Sequence, residues 1–403
     1  MLSEKEIEKL IQPIVDRQQA INTYVVNKIA SRVKEIGNLL PSDVYKLERL
    51  LKSGTDIREI NKVIAQLTGL NERDIKRLIK KVAKDNYLDT KPFYDYRMKP
   101  FIPFEKNIPL QRVVNSIAKQ TAETYINLSR SRAFMLRDLK NPQKLVATPL
   151  TKAYYSIVDE AIQASQSGVI DYGTAMRRTI KQLSESGIRT VTYYPESGGT
   201  YTQQLDVAVK RNVLEGIKQI NQGVQDEVGK QYGADGKEIT VHEMSAPDHE
   251  PIQGHQFTNA EYEKLQSSEP FEDVNGRHFD AIERHIGQYN CRHFTYSIII
   301  GVNKPNFTQE QLDENIRRNH KGYTDSKGKH RTLYECSQEQ RRMEREVRQA
   351  KRDVMTGRAA GDNEMVSKAK ATLSQKQQEY KAFSQACGLS QRPDNMRVQG
   401  YKR

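Results

Sequence analysis

A seam near the C-terminus restricts the fold more than any other feature of this chain. From Leu333 onward, Cys336, Gln340, Met343, Val347, Ala350 and Val354 recur at steps of four and three. A helix turns once in about 3.6 residues, so this spacing draws one narrow, mostly apolar stripe along a single face. The segment GRAAGDNE interrupts the stripe, and Val366, Ala369, Leu373, Tyr380 and Phe383 resume it. Two striped helices joined by a short break bury their stripes against each other. The spacing therefore predicts an antiparallel helical hairpin within 306–387, with a basic first arm, QRRMEREVRQAKR. The basic tail 388–403 is expected to be mobile.

The rest of the chain reads as helices first and strands later. Ser3 and Glu6 are spaced as a capping box, and Ile7, Leu10, Ile11, Ile14 and Val15 follow at helical spacing. Pro41-Ser42-Asp43 restarts a helix. Thr55-Asp56 and Asn71-Glu72 read as two further helix starts separated by Gly69, which makes 1–89 a helical region. These short basic helices resemble a helix-turn-helix only in outline, since nothing marks a recognition helix for a DNA-binding regulator. Residues 90–109, TKPFYDYRMKPFIPFEKNIP, carry four prolines among aromatics and predict an extended linker or a clamp. Residues 110–305 read as a central α+β domain with a small sheet. Its helices run from Leu110 to about Asp138, from Leu150 to Gly168, and from Asp171 to a stop at Gly187. IRTVTYY (188–194), KEITVHEM (237–244) and CRHFTYSIII (291–300) are its strands, and TYTQQLDVAVK reads as a return to helix. The fold class is thus α+β, mostly helical.

Composition bounds the function. Apolar residues make up 36% of the 403 residues, and the mean hydropathy is −0.78; a modest core with extended helical parts fits better than a compact enzyme. Net charge is +13, from 64 Lys and Arg against 51 Asp and Glu. That describes either a well-solvated basic protein or one with a polyanionic partner such as DNA. Cys291, Cys336 and Cys387 include no C-x-x-C pair, which excludes a disulfide scaffold and a cysteine-only zinc site and suits a reducing compartment. No signal peptide is visible at MLSEKEIEKL, and the longest apolar run, SIIIGV, is far short of the roughly 20 residues that span a bilayer. No membrane partner is expected.

Six of the eight histidines fall between 242 and 293: His242, His249, His255, His278, His285 and His293. With Cys291 they supply enough nitrogen and sulfur for a metal site, zinc being the natural candidate. On a strand, Cys291 and His293 share a face about 6.5–7 Å apart at the backbone. They could then reach one ion together, with His249 or His255 completing the set. The same geometry is poor for a direct thiol–imidazole bond, which needs about 3 Å. His242-Glu243 begins like a metalloprotease helix, but Ala246 stands where the second histidine is required. The competing reading is that these histidines serve only to satisfy irregular backbone.

Three strings in order, SAPDHEPIQGHQF, GQYNCRHFTYSIIIG and LYECSQEQRRMEREVRQAKRD, resemble the phage minor capsid protein 2 family, itself related to Mu F-like head morphogenesis proteins. The resemblance rests on His249, Gln253 and Gly254; on Asn290, Cys291, Arg292, His293 and Gly301; and on Tyr334, Gln338, Arg341 and Glu344. DYGTAMRRTIKQLSESGIRTVTYY and LDVAVKRNVLEGIKQI also look like family segments, so the likeness covers roughly 100–385. Ser245-Ala246-Pro247-Asp248 departs from the Ala-Arg-Pro-like string that members tend to carry. The resemblance implies a virion component of a tailed bacteriophage or prophage, made beside the portal protein. It also implies a place in the capsid interior near the portal, after a stage in the host cytoplasm during assembly. Portal, capsid or scaffold proteins would be its partners, with nonspecific double-stranded DNA, and neither catalytic residues nor a cofactor are implied. The alternative from the residues themselves is a metal-dependent nuclease or hydrolase using His249, Cys291 and His293. From the backbone, Gly254 is expected to hold a conformation other residues resist, Asn290 to cap the turn into the strand, and Arg292 to face away from Cys291 and His293.

Overall fold

The computed structural model describes residues 4–37, 44–138, 141, 143–167, 172–194, 199–267, 269–282, 284–287, 291 and 293–402. Two long helices open the chain. α1 (Glu4–Gly37) buries Ile11, Ile14, Ile21, Val25, Ile29 and Val33 on one face, and α2 (Val44–Leu88) packs on it through a row that includes Ile57, Ile60, Ile64, Ile75 and Ile79. The helix starts expected at Thr55-Asp56 and Asn71-Glu72 are absent: α2 runs through both for 45 residues. Gly54 and Gly69 do not break it; each costs only its propensity of about 1 kcal/mol. The reason is tertiary. Asp56 accepts hydrogen bonds from Arg32 and Tyr154, while Asn71 accepts from Arg17 and donates to the Ile14 carbonyl. Side chains that look like caps are engaged sideways with other helices. Pro41-Ser42-Asp43 lies outside the described residues.

The proline-rich stretch is not extended throughout. Pro92 sits in the first turn of α3 (Lys91–Tyr96) and Pro109 in that of α4 (Ile108–Arg130), where a missing N–H leaves no helix bond unmade. Its aromatics are packed: Phe101 stacks on Tyr87 at 4.7 Å between centroids, Phe93 on Tyr232 at 5.3 Å, and Tyr94 and Phe104 are buried. The stretch clamps the helical body.

α4 ends at Arg130, short of the predicted Asp138, because RAFMLR forms β1 (Arg132–Arg137) and pairs on both sides, with β2 (Leu145–Pro149) and with a later strand. α5 (Leu150–Ser167) and α6 (Tyr172–Ser186) follow, and Gly187 at φ +55° stops α6. β3 (Arg189–Tyr194) then pairs with β4 (Gly199–Gln204), so TYTQQ is a strand and not the start of the helix; its alternation matches Val191 with Thr202 and Thr190 with Gln203. The antiparallel order is β2-β1-β3-β4.

α7 (Leu205–Tyr232) is the axis of the molecule. It packs on α1, α2 and α4. Gly216 allows the approach of α4: a Cβ there would lie 2.4 Å from Thr121 Oγ1. Beyond α7 comes a smaller module of β5 (Gly236–Ile239), β6 (Gln256–Thr258), α8 (Asn259–Gln266), β7 (Phe271–Glu272), β8 (His278–Phe279) and β9 (Thr295–Ile298). β5 lies between β6 and β9, both antiparallel to it. The module has a core of its own, including Ile239, Ile252, Phe257, Leu265, Phe271 and Phe279. Both predicted strands are truncated. KEITVHEM pairs only through Ile239 and CRHFTYSIII only from Thr295, because the flanking backbone turns instead of continuing the ladder.

α9 (Gln309–Lys321), a short ladder of β10 (Tyr323–Thr324) with β11 (His330–Arg331), α10 (Leu333–Ala360) and α11 (Asn363–Ala386) complete the fold. Thr258, Thr308 and Thr332 each close a capping box on the helix that follows. The predicted hairpin is α10 and α11, broken only by Gly361 at φ +66° and by Asp362, which caps Met365 N. It begins at Leu333, and 306–332 belong to α9 and its ladder. The tail is docked and not mobile: Arg392 Nε donates to buried Glu344 at 2.8 Å, Lys351 to the Met396 carbonyl at 2.7 Å, and Val398 is buried. Arg392 finds its acceptor on α10, and the α10 side chains Arg348, Lys351 and Arg358 donate to tail carbonyls. The whole is a mostly helical α+β protein, as predicted. Among the described residues no helix is long and apolar enough to cross a membrane.

Candidate metal centre

Two segments of the small module converge on one point. The first is the turn after β5. His249 N and Glu250 N both donate to the Ala246 carbonyl, and Gly254, at φ +76°, returns its N–H to Ile239 O. A Cβ at Gly254 would lie 2.5 Å from Leu312 Cδ2, so both conformation and space require glycine. The second segment leads into β9 and carries Cys291 and His293. Because these residues precede the strand, the strand geometry that separates them does not apply, and the expectation of a poor thiol–imidazole approach is corrected. Cys291 Sγ lies 3.6 Å from His293 Nδ1 and 3.6 Å from His249 Nδ1, and the two Nδ1 atoms are 3.3 Å apart. Exposure is 2% for His249, 8% for Cys291 and 3% for His293.

Hydrogen bonds on the far side of each ring fix its tautomer. His249 Nε2 lies 2.7 Å from the Arg284 carbonyl, an acceptor only, so this nitrogen carries the hydrogen. His293 Nε2 lies 3.2 Å from Gln253 Oε1, which also accepts from the His242 backbone N–H at 3.0 Å and is thereby identified as the amide oxygen. In the neutral rings both Nδ1 atoms therefore present lone pairs toward the sulfur. The Arg284 carbonyl is itself held in place, since the Arg284 side chain pairs with Asp248 at 2.7 Å. Burial on its own would push the Cys291 thiol up, but hydrogen bonds from His249 and from the Gly287 and His293 backbone outweigh it and lower the pKa. Burial likewise opposes the charged form of His249, and the bonds to Cys291 and Arg284 O raise its pKa against that.

The remaining histidines divide. His242 packs edge-to-face on His293 at 4.9 Å. His255, named as a possible third ligand, is elsewhere: Arg277 Nη1 donates to its Nδ1 at 2.9 Å, and it packs on Phe257 and Phe279. His278 is exposed beside Asp280. Of the motif residues, His249, Gln253, Gly254, Cys291 and His293 gather here. Asn290 and Arg292 lie outside the described residues. Gly301, at φ +75°, turns the chain after β9. Tyr334 connects indirectly, because buried Glu250 accepts from Asn319, whose Oδ1 accepts Tyr334 N. Gln338, Arg341 and Glu344 lie along α10, and Glu344 anchors the tail. Sequence reasoning missed Asp248–Arg284 and Glu250–Asn319; the acids flanking His249 in PDHEP were their only trace.

The architecture and this buried cluster define a mostly helical protein with a small loop-rich module closed from within by its own polar side chains. The chain belongs to the phage minor capsid protein 2 family, whose sequence model matches residues 2–385. The match reaches almost to the N-terminus and takes in α1, α2 and the aromatic clamp, which the motifs alone did not reach. No curated protein and no solved structure matches the chain. Membership makes it a phage minor capsid protein and points to the virion as its place and to other phage structural proteins as its partners.

Proposed function

We propose that this minor capsid protein is a structural part of the head that binds the portal protein and contacts packaged DNA without sequence preference. The observation that supports this reading is the extent of the family match, which runs through helical body, loop module and hairpin as one piece. The net charge of +13 suits a dense polyanion nearby. The place implied is the capsid interior near the portal, reached from the host cytoplasm during assembly. The test is co-sedimentation of the purified full chain with portal oligomers, together with mobility shifts on unrelated DNA duplexes. Portal binding, and DNA binding that weakens steeply as salt rises, are expected. A chain that binds neither at low salt overturns the reading.

A metal-dependent nuclease or hydrolase at His249, Cys291 and His293 is not adopted. A hydrolytic metal must be reached by its substrate, whereas these three side chains are 2%, 8% and 3% exposed.

A further inference from the structure

We propose that His249 Nδ1, Cys291 Sγ and His293 Nδ1 hold one borderline-soft divalent cation, zinc(II), as a structural clasp of the loop module. Three observations carry this. The first is distance. Zinc–nitrogen bonds of about 2.0–2.1 Å and zinc–sulfur bonds of about 2.3 Å at tetrahedral angles place ligand nitrogens about 3.3 Å apart and each nitrogen about 3.6 Å from sulfur. The three separations here are 3.3, 3.6 and 3.6 Å.

The second is proton accounting. Both Nε2 hydrogens are committed outward, to Arg284 O and Gln253 Oε1. Two Nδ1 lone pairs and a sulfur then face one another in a buried site, an electron-rich set that a cation matches. A cation bound to a thiolate satisfies all three at once, and outward bonds from both imidazoles are how metal-ligating histidines are oriented. One sulfur with two imidazole nitrogens suits zinc and disfavours the oxygen-seeking magnesium and calcium.

The third is connectivity. His249 and His293 are 44 residues apart in sequence, and Cys291 is 42 from His249. The ion would tie the turn after β5 to the segment entering β9, closing the irregular part of the module at its base. Because the ligands are buried, the role is structural. The inference stands whether or not the portal reading holds.

The experiment uses the full chain purified without chelators. Elemental analysis is expected to give about one zinc per chain. Exchange for cobalt(II), with water as the fourth ligand beside the three protein atoms, is expected to give the intense visible bands of four-coordinate cobalt and a near-ultraviolet thiolate-to-cobalt charge-transfer band. Cys291→Ser should lose the charge-transfer band while Cys387→Ser keeps it. Gln253→Ala, which leaves all three ligands in place, should weaken binding about 10- to 100-fold through loss of the oriented imidazole. Less than about 0.2 metal per chain, with no charge-transfer band when folded parent protein is titrated with cobalt(II), overturns the proposal. So does a band that survives Cys291→Ser. The parent measurements decide the matter even where a variant fails to fold.

Discussion

Asp56 separates two accounts of the N-terminal helices, and replacing it by alanine tests them. As a helix cap it would be worth about 1 kcal/mol. In the structure it is 3% exposed and joins three helices. Arg32 Nε and Nη2 donate to Oδ2 at 2.8 and 2.6 Å, Tyr154 Oη donates to the same oxygen at 2.7 Å, and Lys28 Nζ lies 3.2 Å from Oδ1. Asp56→Ala leaves the Arg32 guanidinium, 12% exposed, with Glu35 as its remaining carboxylate and strands the buried Tyr154 hydroxyl. Breaking a buried pair from one side costs about 3–5 kcal/mol. Asp56→Asn keeps an acceptor for Tyr154 but loses the charge, and should cost about half as much. Burial alone would raise the Asp56 pKa, but the bonds from Tyr154 and Arg32 outweigh it and hold it below the ordinary 3.8. A depressed carboxylate stabilises the fold above its unfolded pKa, and that contribution is lost as pH falls through the folded value. The gap between parent and Asp56→Ala should therefore be full at pH 7 and narrow below about pH 4. Urea unfolding followed by far-ultraviolet circular dichroism measures it. A loss near 1 kcal/mol, or a gap that does not change with pH, refutes the tertiary account.

Other expectations follow from single contacts. Gly216→Ala puts a methyl 2.4 Å from Thr121 Oγ1 and 2.6 Å from Cγ2; it should cost about 1–3 kcal/mol in thermal or urea unfolding, and Thr121→Ala in the same chain should recover most of it. His255 is held at a pKa of about 4, first by burial and then by the charge of Arg277, against an ordinary 6.5. The unfolded chain takes up that proton more readily, so stability should fall as pH drops from 6.5 toward 4, by about 1–2 kcal/mol after discounting for its partial exposure; His255→Gln should flatten that part of the profile. Arg392→Ala leaves Glu344, 3% exposed, without its ion-pair partner. It should cost about 2–3 kcal/mol and raise the rate of tryptic cleavage in the 388–403 tail above that of the parent.

The C-terminal hairpin was legible because a two-helix seam is a local periodic signal, and Gly361-Asp362 is an unambiguous stop and start. The Thr-x-x-Glu and Thr-x-x-Gln boxes were equally readable in principle, since each is complete within four residues. Errors arose where a residue with a local preference is used at long range. Asp56 and Asn71 look like caps until α1 is placed beside them. Residues 132–137 and 199–204 look like helix until their strand partners are supplied. The histidine cluster was legible as a set of ligand types near one box. Its assembly was not, because 291–293 read locally as strand. Which histidine would join Cys291 depended on a turn whose shape is set by Gly254, Leu312 and the Asp248–Arg284 pair, and no periodicity reports such contacts.

β9 also ties the small module to the central helix. Thr295 and Ser297 supply partners for Gln222 and Gln225 on α7, and the Ser297 carbonyl accepts from Tyr232, across 65 to 73 residues of intervening chain. β9 completes the bonding of that flank: the Gln222 amide, which also donates to Asp226, meets Thr295. Long-range pairing of this kind is slow, because the loop must close before any contact rewards it. Cys291 and His293 immediately precede β9, so whatever holds them to His249 shortens the search that β9 must make. The small module thus bears on the helical body as well as on its own core: the segment that carries Cys291 and His293 is the one that brings β9 against α7.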